Sequence, residues 1–503
     1  MPRTSMAREV FEKILNHVRQ TALLQSTMSM LEWDQNTGLP ASAAEYRAEQ
    51  LTQLAGMVHQ RRVDERLGQW LIELGDQVAG QDPSSPENVI ARCMKREFDR
   101  CSKLPQSLVE EISHATSIGQ QVWVEAKLAD DFQSFLPHLE RIIELKRQEA
   151  DCLALPGQSR YDVMLDSYEE GATTDQVQRI FVQLRDSLVP LIQVASQKAA
   201  KLGPSVVEGH FELEPQERFS KWVAEQIGFD FQRGRLDQTE HPFCTTLGPH
   251  DHRILTRFSQ ESFSMGLYGV LHEAGHGMYE QGFDSQWYGT PLATAASLGV
   301  HESQSRLWEN LVGLSEPFWQ WAYPHLLEYF PNAFRGVPLA GIVEDLNRVK
   351  PSLIRIEADE VTYNMHILIR FELEEELMRG GLSVKDLPQA WNHKYTNLLG
   401  VTPPSDRTGV LQDVHWSAGL IGYFPTYTLG NIYSAQLFAA ANRELGSLDR
   451  LIQQGEFQVL LEWLRRKVHR HGQSYLPMEL IERATGEPVD SKYLMEHLKT
   501  KCQ

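Results

Sequence analysis

Two histidines and a glutamate lie close together in the segment His272–His276, whose sequence is HEAGH. Side chains four positions apart share one face of an α-helix, so both imidazoles can bind one divalent cation. Zinc binds imidazole nitrogens at about 2.0–2.1 Å and lowers the pKa of bound water towards about 7. Glu273 projects beside the pair, where its carboxylate can take a proton from that water. The pattern predicts metal-dependent hydrolysis; the alternative is two surface histidines on an ordinary helix.

The motif ends a stretch, Phe263–Tyr279, whose apolar residues recur at helical spacing and predict an α-helix. Gly275 and Gly277 interrupt this helix, and each costs roughly 1 kcal/mol relative to alanine in a helix interior. A purely structural helix has no need for them. We therefore expect a substrate or another backbone to approach the helix closely at these two positions.

A hydrolytic zinc site needs a third protein ligand and one open position. Candidates lie in His301–Glu309, sequence HESQSRLWE, which the apolar spacing predicts to be a second helix. Glu302 follows His276 by 26 residues, a separation that suits a helix–turn–helix return. Spacing alone leaves His301 as an equal rival, with an exposed helix start as the remaining alternative.

Helical periodicity dominates the rest of the chain, with apolar stripes over residues 10–18, 135–143 and 367–377. The third stripe leaves four glutamates that we expect on a solvated face: Glu372, Glu374, Glu375 and Glu376. Strand-like alternation is confined to residues 209–213 and 234–257. The expected fold is therefore mainly α, with one small sheet just before residue 260.

Composition excludes several classes of protein. The 503 residues are 42% hydrophobic, enough for a large core, and a net charge of -19 disfavours nucleic-acid and anionic-membrane partners. Five scattered cysteines without a CxxC pair predict no disulfide framework and favour a reducing compartment. Residues 1–20 look like an amphipathic helix, and no stretch approaches the ~20 apolar residues of a membrane span. We expect a cytoplasmic protein.

Seven segments along almost the whole chain resemble the carboxypeptidase Taq family of metallocarboxypeptidases. In order they are LEWDQNTGLP at 31–40, HPFCTTLGPHDHRILTRF at 241–258, HEAGH at 272–276, HESQS at 301–305, IRIEAD at 354–359, GVLQDVHWS at 409–417 and GYFPTYTLGN at 422–431. One position departs from the family pattern. The family has threonine two residues after the arginine that corresponds to Arg253, whereas this chain has Leu255 followed by Thr256.

The resemblance implies a mainly α, neurolysin-like fold, a bilobed bundle of long helices around a deep groove with a small sheet near the active site. We expect one peptidase domain over residues 1–503, with two helical lobes and a metal-binding core at about residues 240–431. The resemblance also implies a zinc ion that cobalt can replace, a peptide substrate and a homodimer.

The same resemblance assigns roles to individual residues. It makes Glu302 the third metal ligand beside His272 and His276, with Glu273 as the general base. Arg355 is implied to hold the terminal carboxylate of the peptide, for which a guanidinium is suited by its two parallel N–H groups. Taken without the resemblance, Arg355 would read as a surface salt bridge to a neighbouring acid, namely Glu357 or Asp359.

His415 and Tyr427 are implied to contact the substrate or the transition state, and Tyr423 is an alternative to Tyr427 as a substrate-binding residue. These side chains can donate hydrogen bonds to a developing oxyanion. By composition alone, the segment around Trp416 and the aromatic run at 423–427 would be core packing.

The resemblance thus predicts release of single C-terminal amino acids from peptides. A zinc oligopeptidase or a dipeptidyl carboxypeptidase would have the same metal site and differ only in where the groove closes. A non-catalytic helical binding protein is the alternative from another class, and an intact Glu273 argues against it.

Overall fold

The computed structural model describes the backbone of residues 2–502 and the side chains of residues 8–502. Met1 and Gln503, which the predicted domain includes, lie outside the described residues. Within residues 2–502, twenty α-helices and one three-stranded sheet form the fold, so the prediction of a mainly α protein is confirmed. No helix in this part of the chain has the length and apolar character that crossing a membrane requires.

The α-helices are, in chain order, α1 (Pro2–Thr37), α2 (Ala44–Arg62), α3 (Glu65–Val78), α4 (Pro86–Lys103), α5 (Gln106–Ala129), α6 (Phe132–Leu153), α7 (Arg160–Asp166), α8 (Thr174–Ala199), α9 (Leu213–Ile227), α10 (Phe263–Gln281), α11 (Leu298–Arg306), α12 (Glu316–Tyr329), α13 (Leu339–Leu346), α14 (Glu360–Arg379), α15 (Leu387–Leu399), α16 (Pro425–Leu445), α17 (Leu448–Gln453), α18 (Phe457–Lys467), α19 (Pro477–Thr485) and α20 (Lys492–Cys502). Single-turn 3₁₀ helices lie at Ala41–Ala43, Ser285–Trp287, Pro291–Ala293, Arg355–Glu357, Val384–Asp386 and His469–His471. A π-helical segment, Leu307–Val312, continues α11.

The sheet consists of β1 (Gly234–Gln238), β2 (Phe243–Gly248) and β3 (Asp251–Thr256). β3 is the central strand, parallel to β1 and antiparallel to β2. The sheet packs against α10, and Ile254 of β3 is fully buried. The sheet predicted from residues 234–257 is confirmed.

The prediction of a strand at residues 209–213 is wrong. Gly209 N and Phe211 N each donate one hydrogen bond to a carbonyl of the loop before α10, at 3.0 and 2.8 Å. Two such bonds are too few to extend into a ladder, because the chain turns into α9 at Leu213. The local alternation therefore ends in an irregular segment that is anchored by the buried ring of Phe211.

α11 lies between α10 and α16, and glycines allow both approaches. A Cβ added at Gly275 of α10 would lie 2.6 Å from the Gln304 carbonyl oxygen of α11. A Cβ at Gly430 of α16 would lie 2.7 Å from Glu302 Cβ. The expected close approach of another backbone is thus confirmed at Gly275. At Gly277 the neighbour is instead the Phe229 side chain, 2.5 Å from an added Cβ.

α14 is buried along most of its length, and its glutamates do not form the uniform solvated face that the sequence predicts. Glu374 is completely buried and accepts hydrogen bonds from Tyr161 Oη (2.8 Å), Trp416 Nε1 (2.8 Å) and Gly422 N (3.0 Å). These donors come from segments remote in sequence, so the local pattern gives no sign of them. Burial raises the pKa of Glu374 to about 7, although these three hydrogen bonds oppose the rise.

The buried apolar side chains form two clusters. The larger one contains the faces of α10, α11, α14 and α16, and the smaller one joins α1, α3 and α4. The N-terminal amphipathic helix is confirmed, because the apolar residues between 10 and 18 are buried in the smaller cluster. The predicted division into two lobes around a groove stays a prediction.

We expect Gly275→Ala to lower the free energy of unfolding by about 1 to 3 kcal/mol, because the added methyl meets backbone atoms that cannot rotate away. Chemical denaturation measures this loss. Gly56→Ala in α2 is the matched control, because an added Cβ there meets nothing within 4 Å. The control gains about 0.5–1 kcal/mol through helix propensity. Equal stabilities for the two variants would contradict the packing of α10 on α11.

Candidate metal centre and substrate-binding residues

α10 and α11 bring two imidazoles and one carboxylate to a single point. His272 Nε2 and His276 Nε2 lie 3.6 and 3.5 Å from Glu302 Oε2. One donor atom from each of the three residues lies within 4.8 Å of the other two. The structure therefore brings together the three residues that the sequence analysis assigns to the metal.

Hydrogen bonds at Nδ1 orient both imidazoles. His272 Nδ1 lies 2.7 Å from Glu309 Oε2, and His276 Nδ1 lies 3.0 Å from the His301 carbonyl oxygen. Both partners are acceptors, so each ring directs an N–H at Nδ1 towards its partner and turns Nε2 towards Glu302. This donor set fits a divalent cation, because metal-binding histidines commonly donate their second ring N–H in this way.

His301, the rival ligand, has a supporting role. Its ring stacks on His276 with centroids 4.3 Å apart, and its Nε2 lies 3.0 Å from Glu280 Oε1. Its backbone oxygen is the acceptor that orients His276. The register of α11 on α10 therefore places Glu302, and not His301, at the two Nε2 atoms.

Acidic groups outnumber basic groups around the three donor atoms. Arg306 Nε donates to Glu302 Oε1 at 2.7 Å, and Nη1 donates to Glu309 Oε2 at 3.2 Å. Burial raises the pKa of Glu302, but Arg306 and the two histidines outweigh burial and hold that pKa well below its usual range. Glu302 and Glu309 thus share one guanidinium, and Glu273 lies near enough to both for their charges to raise its pKa. A divalent cation would complete the charge balance of this buried region.

The two imidazoles differ in protonation before a cation binds. Burial and the neighbouring His301 lower the pKa of His276 to about 3, so this ring is neutral. Burial would also lower the pKa of His272, but the carboxylates of Glu302 and Glu309 raise it to about 9. A bound cation therefore takes the place of a proton on His272.

Glu273 lies between the two histidines in sequence and is 6% exposed. Among the residues that the structure describes, no side chain or backbone group donates a hydrogen bond to its carboxylate. Burial raises the pKa of Glu273 to about 7, with His272 opposing and Glu302 adding to the rise. A carboxylate without a fixed donor and with a pKa near 7 is suited to accept and return a proton.

Arg355 is buried at the 3₁₀ turn before α14, and it pairs with an acid that the sequence analysis does not consider. Its Nε and Nη2 lie 3.0 and 2.9 Å from Asp413 Oδ1, and its Nη1 donates to Tyr363 Oη at 3.1 Å. The alternative of a surface salt bridge to Glu357 or Asp359 is wrong. Asp359 instead accepts from the first backbone N–H groups of α14.

His415, Tyr423 and Tyr427 form one aromatic group beside Arg355. His415 Nε2 lies 3.3 Å from Tyr427 Oη, and the ring centroids of Tyr423 and Tyr427 are 5.5 Å apart. The Arg355 guanidinium carbon lies 5.1 Å from the centre of the Tyr427 ring. Burial lowers the pKa of His415 to about 4, with Asp413 opposing, so the imidazole is neutral.

Tyr363 connects the arginine group to the metal-binding group. Its hydroxyl accepts from Arg355, and the guanidinium carbon of Arg306 lies 4.6 Å from the centre of its ring. Arg306 in turn holds Glu302. The residues predicted to hold the metal and those predicted to contact the substrate are therefore adjacent.

Sequence reasoning misses Glu309, Arg306, Tyr363 and Asp413, which orient or balance the predicted residues. Glu309 and Asp413 do lie inside segments that carry the family resemblance or the second predicted helix. Their partners depend on how helices pack, so spacing along the chain gives no signal for them.

The position that departs from the family pattern lies on β3. Leu255 and Thr256 are both buried, and Thr256 Oγ1 lies 2.3 Å from the position of a Cβ added at Gly269 of α10. One other matched segment, at residues 31–40, meets this strand, because the Arg253 guanidinium carbon lies 4.2 Å from the centre of a Trp33 ring. The departure therefore lies in the packing of the sheet on α10, apart from the three metal-binding residues.

The chain is similar to known proteins over nearly its full length. The family described as carboxypeptidase Taq (M32) metallopeptidase matches residues 13–502. Thermostable carboxypeptidase 1 of Thermus thermophilus is 42% identical over 499 residues, which cover 98% of each chain. Carboxypeptidase 1 of Bacillus subtilis is 37% identical over 474 residues, or 94% of each chain.

The fold is also similar to that of a solved structure over nearly the whole chain. The M32 carboxypeptidase of Deinococcus radiodurans superimposes with a TM-score of 0.95 at 40% identity, covering 98% of this chain and 99% of that one. Similarity of this extent, together with the metal-binding group on α10 and α11, leaves a single interpretation. The chain belongs to the carboxypeptidase Taq (M32) family and is a metallocarboxypeptidase.

Proposed function

We propose that this metallocarboxypeptidase uses zinc to release single amino acids from the carboxyl end of peptides. One observation supports this most directly: Tyr363 contacts both the buried Arg355 and Arg306, the partner of Glu302. A cation that binds the terminal carboxylate must lie close to the group that cleaves the last peptide bond. Arg355 and the metal-binding group meet that requirement.

The donor set supports zinc, with cobalt as a substitute. Two imidazole nitrogens and one carboxylate are the three protein ligands of many hydrolytic zinc sites, which keep one open position. A bound zinc ion supplies a positive charge that polarises the scissile carbonyl and makes water acidic enough for a carboxylate to deprotonate.

Glu273 is the proposed general base. Its carboxylate is next in sequence to His272 and has no fixed hydrogen-bond donor, so it is available to a water. It takes the proton of the attacking water and then passes that proton to the nitrogen of the departing amino acid. No side chain needs to form a covalent intermediate.

Arg355 is the proposed carboxylate-binding residue. Asp413 and Tyr363 accept from three of its five N–H groups. One N–H group on Nη1 and one on Nη2 are left for a substrate carboxylate. Tyr427 and His415 lie beside it, and we propose that they donate hydrogen bonds to the oxyanion that develops at the scissile carbonyl. Tyr423 is the proposed lining residue next to them.

We also propose a homodimer that works in the cytoplasm. The family resemblance supports the dimer, and the cysteine pattern of the sequence supports a reducing compartment.

We expect Glu273→Gln to retain the metal but to lower kcat by about 10²- to 10⁴-fold, because the amide cannot accept the proton. Metal content and steady-state hydrolysis are measured on the same preparation. Glu225→Gln, an exposed glutamate of α9, is the matched control and keeps full activity. Hydrolysis at the wild-type rate by Glu273→Gln would exclude this residue as the base.

The wild-type enzyme should shorten peptides with a free carboxyl terminus by one residue at a time. It should cleave the same peptides poorly when their carboxyl terminus is amidated. Arg355→Gln should lower kcat/KM for the free peptides by about 100-fold, because two charge-assisted hydrogen bonds are lost. Mass spectrometry of timed digests identifies the products. Equal rates on free and amidated peptides, internal fragments, or release of dipeptides would contradict the proposal.

A further inference from the structure

Asp413 is shared between two buried guanidinium groups. Its Oδ1 accepts from Arg355, while its Oδ2 lies 2.7 Å from Arg370 Nε and 2.5 Å from Arg370 Nη2. Burial raises the pKa of Asp413, but Arg370 and Arg355 outweigh burial and hold that pKa well below its usual range. Asp413 is therefore an ionised carboxylate with two positive partners.

Arg370 is completely buried in α14 and has no N–H group left for a ligand. Besides Asp413, its Nη2 donates to Gln412 Oε1 at 2.8 Å, and its Nη1 donates to the His366 carbonyl oxygen (2.7 Å) and Tyr395 Oη (3.2 Å). All five of its N–H groups thus have partners. Arg370 can influence a substrate only through Asp413 and through its charge.

The nearest acid outside this cluster is Glu374, one turn beyond Arg370 on α14, and its carboxyl group accepts hydrogen bonds from Tyr161, Trp416 and Gly422 and from neither guanidinium. Burial lowers the pKa of His415 to about 4 and that of His366 well below its usual range, so both imidazoles are neutral. Lys127 is a further cation at the rim, half-buried, whose Nζ donates to the Gln412 carbonyl oxygen at 2.8 Å. The hydrogen-bonded cluster of two guanidinium groups and one carboxylate, formed by Arg355, Arg370 and Asp413, therefore has a net charge of +1.

We propose that Arg370 is a positioning residue for recognition of the terminal carboxylate, because it occupies Asp413 and so leaves the charge of Arg355 uncompensated for the substrate. This inference rests on the proposed function of Arg355. A buried Arg355–Asp413 pair alone would be neutral and would attract an incoming carboxylate only as a dipole. With Arg370 present, the same site offers a full positive charge in a region of low dielectric.

The test is the preference for a free carboxyl terminus, measured as kcat/KM for a peptide divided by kcat/KM for the same peptide with an amidated end. Arg370→Gln brings the cluster to zero charge, so the preference falls at least about tenfold. Arg370→Gln combined with Asp413→Asn restores a net charge of +1 and permits an amide–amide hydrogen bond in place of the ion pair. The preference then returns towards the wild-type value.

Arg379→Gln, at the exposed end of the same helix, is the matched control and leaves the preference unchanged. A purely structural role for Arg370 would lower stability and both rates together and leave their ratio intact, and that result overturns the inference. A double variant with the same low preference as Arg370→Gln overturns it as well.

Arg370→Lys keeps the charge but loses most of the hydrogen bonds. We expect this variant to retain the preference for a free carboxyl terminus even if its unfolding midpoint falls. The inference therefore stays testable if Arg370→Gln is too unstable to assay. Loss of preference in Arg370→Lys overturns the inference. The proposed function fails separately: it fails if Arg355→Gln keeps the preference, whatever the Arg370 variants show.

Discussion

An ionised side chain costs several kcal/mol to bury unless an opposite charge or hydrogen bonds receive it. The chain meets this constraint at two adjacent places, where Arg306 holds Glu302 and Glu309, and where Asp413 lies between Arg355 and Arg370. The Arg306 pairings join successive turns of α11 and its π-helical continuation. The Asp413 pairings join segments that are distant along the chain. The helices can therefore pack in few other ways without leaving a buried charge unpaired, and the same pairing orients the chemically active atoms.

Close backbone packing makes these pairings possible. α11 carries Glu302 between α10 and α16, and glycine at 275 and 430 removes the side chains that would hold the helices apart. The π-helical segment after Arg306 carries Glu309, whose carboxylate faces His272 Nδ1. Wider helical turns of this kind often occur at functional sites, because they redirect a side chain without ending the helix. The geometry of the metal-binding group thus follows from backbone features of three helices.

Local sequence rules predict part of this arrangement. They fail where the packing of helices determines which side chains meet. The spacing of HEAGH is enough to place His272 and His276 on one helix face, and the small sheet before residue 260 follows from alternation. Spacing cannot choose between Glu302 and His301, because the choice depends on the register of α11 against α10. Nor can it find Asp413, which pairs with Arg355 across 58 residues of sequence, or the donors that surround Glu374.

A crystal structure of the zinc-loaded protein, with diffraction measured on both sides of the zinc absorption edge, locates the metal ion directly. We expect one strong anomalous peak within bonding distance of His272 Nε2, His276 Nε2 and a carboxylate oxygen of Glu302, with both Nδ1 hydrogen bonds retained. A peak at another place, or a zinc ion bound by the two imidazoles while Glu302 points away from it, would show that these three side chains do not form the metal site.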